Sequence, residues 1–416
     1  MKDFPLTDRA RRPVPDGFLW GSAISAHQTE GNNVNSDAWL CETVVPTVYA
    51  EPSGDACDSW DRFDTDFDIA ADLGFNCHRI GVEWSRIEPE PGRFSRAALD
   101  HYRRAFEALH ARGLAPIVTF NHFTVPRWFA ARGGFEVADG ADLFARYVER
   151  TTAALGDLIA YATPFNEANI QRLLILLRGG TAIGATAEEM LLECARASGS
   201  DRFSSLLFAP LARCEPVMLD AQTKAMAAMK AGPGSYPVGV TLTMQDVQGV
   251  GDGHAAEAVT TAMYGPWIEA ARAADFVGVQ TYTRVLVGPA GQIAPPAGAE
   301  LTAAGYEFYP QALGATIRFA HERIGRPILV TESGIATNDD ARRVAYIDAA
   351  VAEVRRCIDD GIPVRSYVCW SLLDNFEWTR GYKERFGLVH VDYETFARTL
   401  KPSAHHLGAI ARSGLI

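Results

Sequence analysis

Two glutamates open the chemical reading of this chain. Glu167 follows Asn166 in TPFNEAN, and Glu332 lies in PILVTESG. Each ends a short apolar run, which places it at the end of a strand rather than in the middle of one. A lone glutamate at such a position is commonly a loop ion-pair residue. A pair facing one cleft can instead cleave a glycosidic bond. One carboxyl protonates the leaving oxygen, while the other attacks the anomeric carbon or activates a water that does. A separation of about 5–5.5 Å between the two would select direct attack and retention of configuration.

Other residues at the ends of apolar runs suit the same chemistry. They include Gln28 in HQTE, Arg79 ahead of Glu83-Trp84, His122 after Asn121, Gln280 with Tyr282, and Trp370 leading to Glu377 and Trp378. Carboxylates, amides and imidazole satisfy hydroxyl groups, and indole and phenol rings cover the apolar faces of sugar rings. Signals for other chemistries are weak. The glycine clusters at Gly232–Gly234 and Gly249–Gly253 lack the spacing of a phosphate loop. There is no His pair at metal spacing and no G-x-S-x-G turn around Ser22 or Ser333. No metal and no organic cofactor is expected.

Eight apolar runs could position these residues: Phe18–Ser25, Cys77–Trp84, Ala115–His122, Tyr161–Glu167, Tyr236–Met244, Asp275–Thr283, Pro327–Ser333 and Val364–Leu373. Helix-patterned stretches separate them, among them Ala97–Arg112, Ala141–Leu155, Ala255–Ala273, Gln311–Ile324 and Asp340–Asp360. Runs apolar on both faces suit strands packed between a filled barrel interior and an outer ring of helices. The predicted fold is α/β, a single (β/α)8 TIM barrel spanning 1–416, with its active site at the C-terminal strand ends. Two stretches break the rhythm. Ile170–Glu215 reads as helical and leucine-rich, and Gly288–Gly305 as an exposed loop.

The 416 residues carry a net charge of −12, which disfavours nucleic acid as a partner. The N-terminal MKDFPLTDRARRPVPDG contains no apolar core of a leader peptide, and no apolar run is long enough to cross a bilayer. Seven scattered cysteines without a C-x-x-C pair suggest reduced, buried thiols. These features predict a cytoplasmic protein with no membrane association, and the paired glutamates with their strand-end companions predict a small-molecule glycoside as its partner. No motif speaks to its oligomeric state.

Read in order, FLWGSAISAHQTEG, HRIGVEWSRIEP, FNHFTVPRWF, TPFNEAN, DFVGVQTYTR, PILVTESG and the long C-terminal CWSLLDNFEWTRGYKERFGLVHVDYETFARTLKPSA resemble glycoside hydrolase family 1, the β-glucosidase and β-galactosidase family. The resemblance runs over essentially the whole chain. It implies Glu332 as nucleophile, Glu167 as general acid/base and Arg79 beside the nucleophile. It also implies Tyr282 as the group orienting Glu332, Asn166 as partner of the sugar 2-hydroxyl, and Gln28, His122, Trp370, Glu377 and Trp378 as sugar-binding residues. The implied reaction is retaining hydrolysis of terminal β-D-glycosides, most simply β-glucosides, with β-galactosides and β-fucosides as neighbours. Departures from the family pattern bear on the substrate. Ala168 stands where proline is usual, Phe123 where tryptophan is usual, and Gln280 where asparagine is usual. Ile170–Glu215 lacks the usual Gly- and Pro-bearing loop. Its plain reading is an outer barrel helix with a shortened loop, and its sharper one is a more apolar or more open aglycone site. Glu377 near the sugar 6-position disfavours a phosphorylated sugar. Two alternatives remain: a transglycosidase using an alcohol acceptor, and a non-catalytic sugar-binding barrel.

Overall fold

A computed structural model describes residues 12–179 and 183–416. The sequence predicts no leader peptide partly from residues 1–11, which lie outside the described residues, as do 180–182 of the leucine-rich segment. Eight parallel strands form the central sheet: β1 Leu19–Ala23, β2 Cys77–Gly81, β3 Ala115–Asn121, β4 Tyr161–Phe165, β5 Gly239–Thr243, β6 Phe276–Gln280, β7 Ile328–Ser333 and β8 Val364–Trp370. Chain neighbours pair in space all the way round, with β1 between β2 and β8. A parallel bridge from Ala162 to Val238 brings β4 to the start of β5, so the sheet curls into a barrel. The predicted fold class holds.

Most strands are shorter than their apolar runs. β2 stops at Gly81 and β4 at Phe165, which leaves Glu83, Asn166 and Glu167 in the connections beyond the ladder. Within β2 the two-residue period sends Cys77 into the barrel, where it clusters with Leu19 and Ile117. Arg79 shares that parity. His78 and Ile80 point the other way, and His78 packs on Phe67 of the outer helix Ser59–Asp72. Gly21 faces Cys77 so closely that a Cβ there would fall 2.4 Å from the Cys77 carbonyl oxygen. The narrow interior needs a glycine at that point.

Outer helices follow the strands, and local chemistry sets their limits. Arg96–Ala111 is capped by the Ser95 hydroxyl, which accepts from Ala98 N at 3.2 Å, a contact worth about 1 kcal/mol. The expected helix Ala255–Ala273 is two helices, Ala256–Tyr264 and Trp267–Arg272. Pro266 brings no N–H and Gly265 has φ +45°, so one continuous helix cannot form there.

The outer-helix reading of Ile170–Glu215 requires correction. Its first helix, Ile170–Leu177, lines the barrel mouth. The outer layer is filled by Leu211–Ala231, which packs on Gly140–Leu155, with Ala185–Ala197 lying between in sequence. Gly288–Gly305 is likewise not all loop. Gly291–Ile293 pairs with Arg284–Gly288, which pairs with Asp246–Gly249. All seven cysteines are buried and unbridged. Among the described residues no helix is long and apolar enough to cross a membrane, and no three His, Cys, Asp or Glu side chains group as metal ligands.

Candidate active site

Glu332 would face the wrong way on a regular strand. Gly278 of β6 points inward: a Cβ there would meet the Thr241 and Thr331 hydroxyls. Thr331 is therefore an interior residue, and strict alternation would turn Glu332 out toward the helices. The ladder between β7 and β6 shifts here, with Val330 opposite Val279 and Glu332 opposite Gln280. Two residues of β7 span one of β6, as in a bulge, and the bulge re-aims the carboxylate into the cavity.

Inside, Glu332 is held from two sides. Arg79 Nη1 donates to its Oε1 at 2.5 Å, and the Tyr282 hydroxyl donates to Oε2 at 2.6 Å. The other Arg79 amine, Nη2, donates to Asn166 Oδ1 at 2.5 Å, and Gln280 Nε2 reaches the same oxygen at 2.9 Å. A guanidinium only donates, so Asn166 Oδ1 is fixed as an acceptor and its NH2 is left for the cavity. Burial raises the Glu332 pKa, opposed first by the Arg79 charge and then by hydrogen bonds from Tyr282 and Arg79. Burial also keeps Tyr282 protonated, so it serves as a donor.

Glu167 has no such grip. Burial first, and the charge of Glu332 second, push its pKa up to about 8, with only a Thr243 hydrogen bond and distant Arg79 lowering it. Two buried carboxyls in one cavity share their protons unequally, and the lack of a cation favours the protonated form at Glu167. Its backbone is fixed by neighbours: Asn166 N donates to Asn121 O at 2.8 Å and Ala168 N to Thr241 O at 2.9 Å. A proline at 168 would lose that second bond. Glu167 itself sits at φ +40°, Phe123 at +74° and Trp378 at +52°. All three line the same cavity. A left-handed backbone at a non-glycine residue costs roughly 1–3 kcal/mol, and such strain collects where function requires it.

The cavity holds about 640 Å3. Glu167, Glu332, Gln28, His122, Asn166, Tyr282, Trp370, Glu377 and Trp378 all line it, and Arg79 lies behind Glu332, 1% exposed. Gln28 takes the Ser25 hydroxyl on its oxygen and donates to Asn375 Oδ1 and the Phe376 carbonyl. Its Nε2 also reaches Glu377 Oε2 at 3.4 Å, while Glu377 Oε1 has no partner. Burial, then the Glu384 charge, raise the Glu377 pKa well above the carboxylate range. Burial and Arg79 lower that of His122, leaving a neutral ring whose Nδ1 is also unpartnered. His122 stacks on Trp370 at 5.6 Å and lies nearly parallel to Trp378. The unpartnered polar atoms and aromatic faces together match a ring of hydroxyls.

The sequence model of Glycosyl hydrolase family 1 matches residues 10–196 and 270–414. The chain belongs to glycosyl hydrolase family 1. As a member of family 1 it is a glycoside hydrolase. It is 31% identical to a beta-glucosidase of Agrobacterium sp., over 98% of this chain and 96% of that one. The apo structure of a beta-glucosidase matches with a TM-score of 0.90 at 45% identity, covering 96% of this chain and 99% of that one. A crystal structure of a beta-glycosidase matches at 0.92 and 45%, covering 97% and 98%. The family model passes over 197–269, which carries β5 and the outer helix Leu211–Ala231.

Several residues of this family 1 site escaped the sequence reading. Gln280 appears there as a polar strand-end residue and as a departure from the family pattern, but its role, orienting Asn166, does not. Thr243 touches Glu167 from the end of β5, and a polar residue at a strand end was the available signal. His27 stacks under Trp378 at 5.5 Å and is bound by Glu42 at 2.7 Å, which raises its pKa despite burial. Nothing local in the sequence joins His27 to Glu42 or Trp378.

Proposed function

We propose that this chain is a retaining β-glycosidase acting on terminal non-reducing β-D-glycosides, β-glucosides first and β-galactosides or β-fucosides next, with an apolar aglycone. One observation carries the reading: two buried carboxyls share a cavity, and only one is gripped by a cation. Glu332, held by Arg79 and Tyr282, is poised to attack the anomeric carbon as the ionised member. Glu167, without a cationic partner, keeps its proton and delivers it to the leaving oxygen. Water then attacks the glycosyl-enzyme, with Glu167 as base. The Asn166 NH2 is placed to donate to the sugar 2-hydroxyl. Gln28, His122 and Glu377 offer groups for the outer hydroxyls, and Trp370 and Trp378 cover the ring. The beta-glucosidase names of the relatives support a glucoside.

The test is chemical rescue. Glu332→Ala should lose turnover of an aryl β-glucoside and, with azide, yield the α-glycosyl azide. Glu167→Ala with azide should yield the β-azide. Wild-type rates in both variants would remove the assignment. A panel of aryl glucoside, galactoside, fucoside and mannoside would fix the sugar.

A further inference from the structure

The helix Ile170–Leu177 has the sequence IQRLLILL, and both of its polar side chains are spent on the fold. Gln171 Nε2 donates to the Leu206 and Ala209 carbonyls at 2.6 and 3.1 Å. Arg172 makes a two-pronged pair with Glu215, 2.5 Å on each side, and donates to the Ala262 carbonyl at 2.6 Å. Glu215 also accepts from Trp267 Nε1. The guanidinium fits because residue 265 is glycine: a Cβ there would lie 2.5 Å from Arg172 Cζ. The helix is thus bolted down by its polar groups, and hydrocarbon is what it presents to the cavity.

Leu173, Leu174 and Leu177 line that cavity together with Phe208, Leu286 and Ile293. Leu177 is 56% and Ile293 39% exposed, unusual for large apolar residues at the mouth of a site. Two arginines at the same mouth are already engaged. Arg284 holds Glu307 through two bonds and Gln248 through a third, and Arg380 holds Glu384. A second sugar would find the Arg284 and Arg380 guanidiniums already engaged. This wall is continuous with the cavity that holds Glu167 and Glu332. A leaving group attached to a sugar seated between Glu167 and Glu332 would extend onto it.

We infer that the leucine wall is a binding site for an aliphatic aglycone, so that the substrate class is glycosides of apolar alcohols rather than disaccharides. This rests on the proposed β-glycosidase reading. A series of n-alkyl β-D-glucosides, methyl to octyl, tests it cleanly. The leaving alkoxides beyond methyl differ little in basicity, so chain length reads binding rather than chemistry. Each methylene buried on the wall should raise kcat/KM by up to about fourfold, chiefly through KM, from butyl onward. Cellobiose should stay near the methyl glucoside. Leu177→Ser and Ile293→Thr, at exposed positions that leave folding intact, should each lower the octyl-to-methyl ratio severalfold, and Leu177→Met should keep it.

A ratio independent of chain length, in a protein that hydrolyses aryl β-glucosides, overturns the inference and leaves the proposed function standing. No turnover of any aryl β-glycoside removes both. A dimer in light scattering that Leu177→Ser dissociates would assign the leucines to a second copy of the chain and also overturn it.

Discussion

At the floor of the cavity Arg79, Asn166, Gln280, Tyr282 and Glu332 hold one another by hydrogen bonds of 2.5 to 2.9 Å. At its mouth Leu173, Leu174 and Leu177 face open space, and the polar residues that position them, Gln171 and Arg172, point away into the fold. The floor is built from strand ends, where the closed barrel fixes each backbone. The mouth is built from the long connections that follow β4 and β6. The difference separates two tasks. Bond cleavage needs charges set in advance at fixed distances, because they act through the electrostatics of a dry site. Choosing a leaving group needs only a surface of the right polarity.

Changes at the floor should therefore act on kcat and on pH dependence. The largest effect is expected for Glu332→Ala, with kcat on an aryl β-glucoside falling on the order of 10^4-fold or more. A smaller loss would break the claim that the floor does the chemistry. Next comes Arg79→Met, which should cost about 10^2- to 10^3-fold in kcat. Arg79 opposes the burial that raises the Glu332 pKa, so its loss should also move the acid limb of the pH–rate profile upward.

The wild-type profile should be a bell. Glu167 acts while protonated, so kcat/KM should fall as pH rises through about 8. Glu332 acts while ionised and its pKa is raised, so activity should fall on acidification at a pH above the usual carboxylate range. With an activated aryl leaving group, Glu167→Gln should remove the alkaline limb and keep the acid one. A limb unmoved by that change would assign it elsewhere.

Gln280→Ala should cost roughly tenfold in kcat/KM, the worth of one buried hydrogen bond. The loss should be smaller for a 2-deoxy glycoside, because Gln280 acts through Asn166, and Gln280→Asn should recover part of it. Equal losses on both substrates would make Gln280 a structural residue only. The smallest catalytic effect is expected at the bolt of the mouth. Arg172→Ala should lower folding stability by about 2–3 kcal/mol in a denaturant titration, because Glu215 is left buried without its cation.

Much of the floor was legible. A strand end is marked by an apolar run giving way to polar residues, and each predicted site residue lies on the cavity or, for Arg79, directly behind it. The role of Gln280 is not legible locally, since it comes from Asn166, 114 positions away. The mouth was less legible. IQRLLILL carries the same periodic signal whether it packs on the barrel wall or lines a cavity, and the outer-helix reading failed for that reason. What separates the two is the destination of Gln171 and Arg172, and those partners lie 35 to 90 positions along the chain.

The sequence by itself determined the eight strands, their alternation with helices, and the two glutamates with their chemical companions. Those follow from local periodicity and residue type. Tertiary structure decided where the side chains point. The shift in the β7 ladder turns Glu332 inward, against the parity that its own strand would impose. Barrel closure brings Arg79 to it across 253 positions, and in doing so fixes Asn166 as a donor and leaves Glu167 without a cation, its pKa raised by burial. Neither outcome has a local cause, because both depend on which strands meet and in what register.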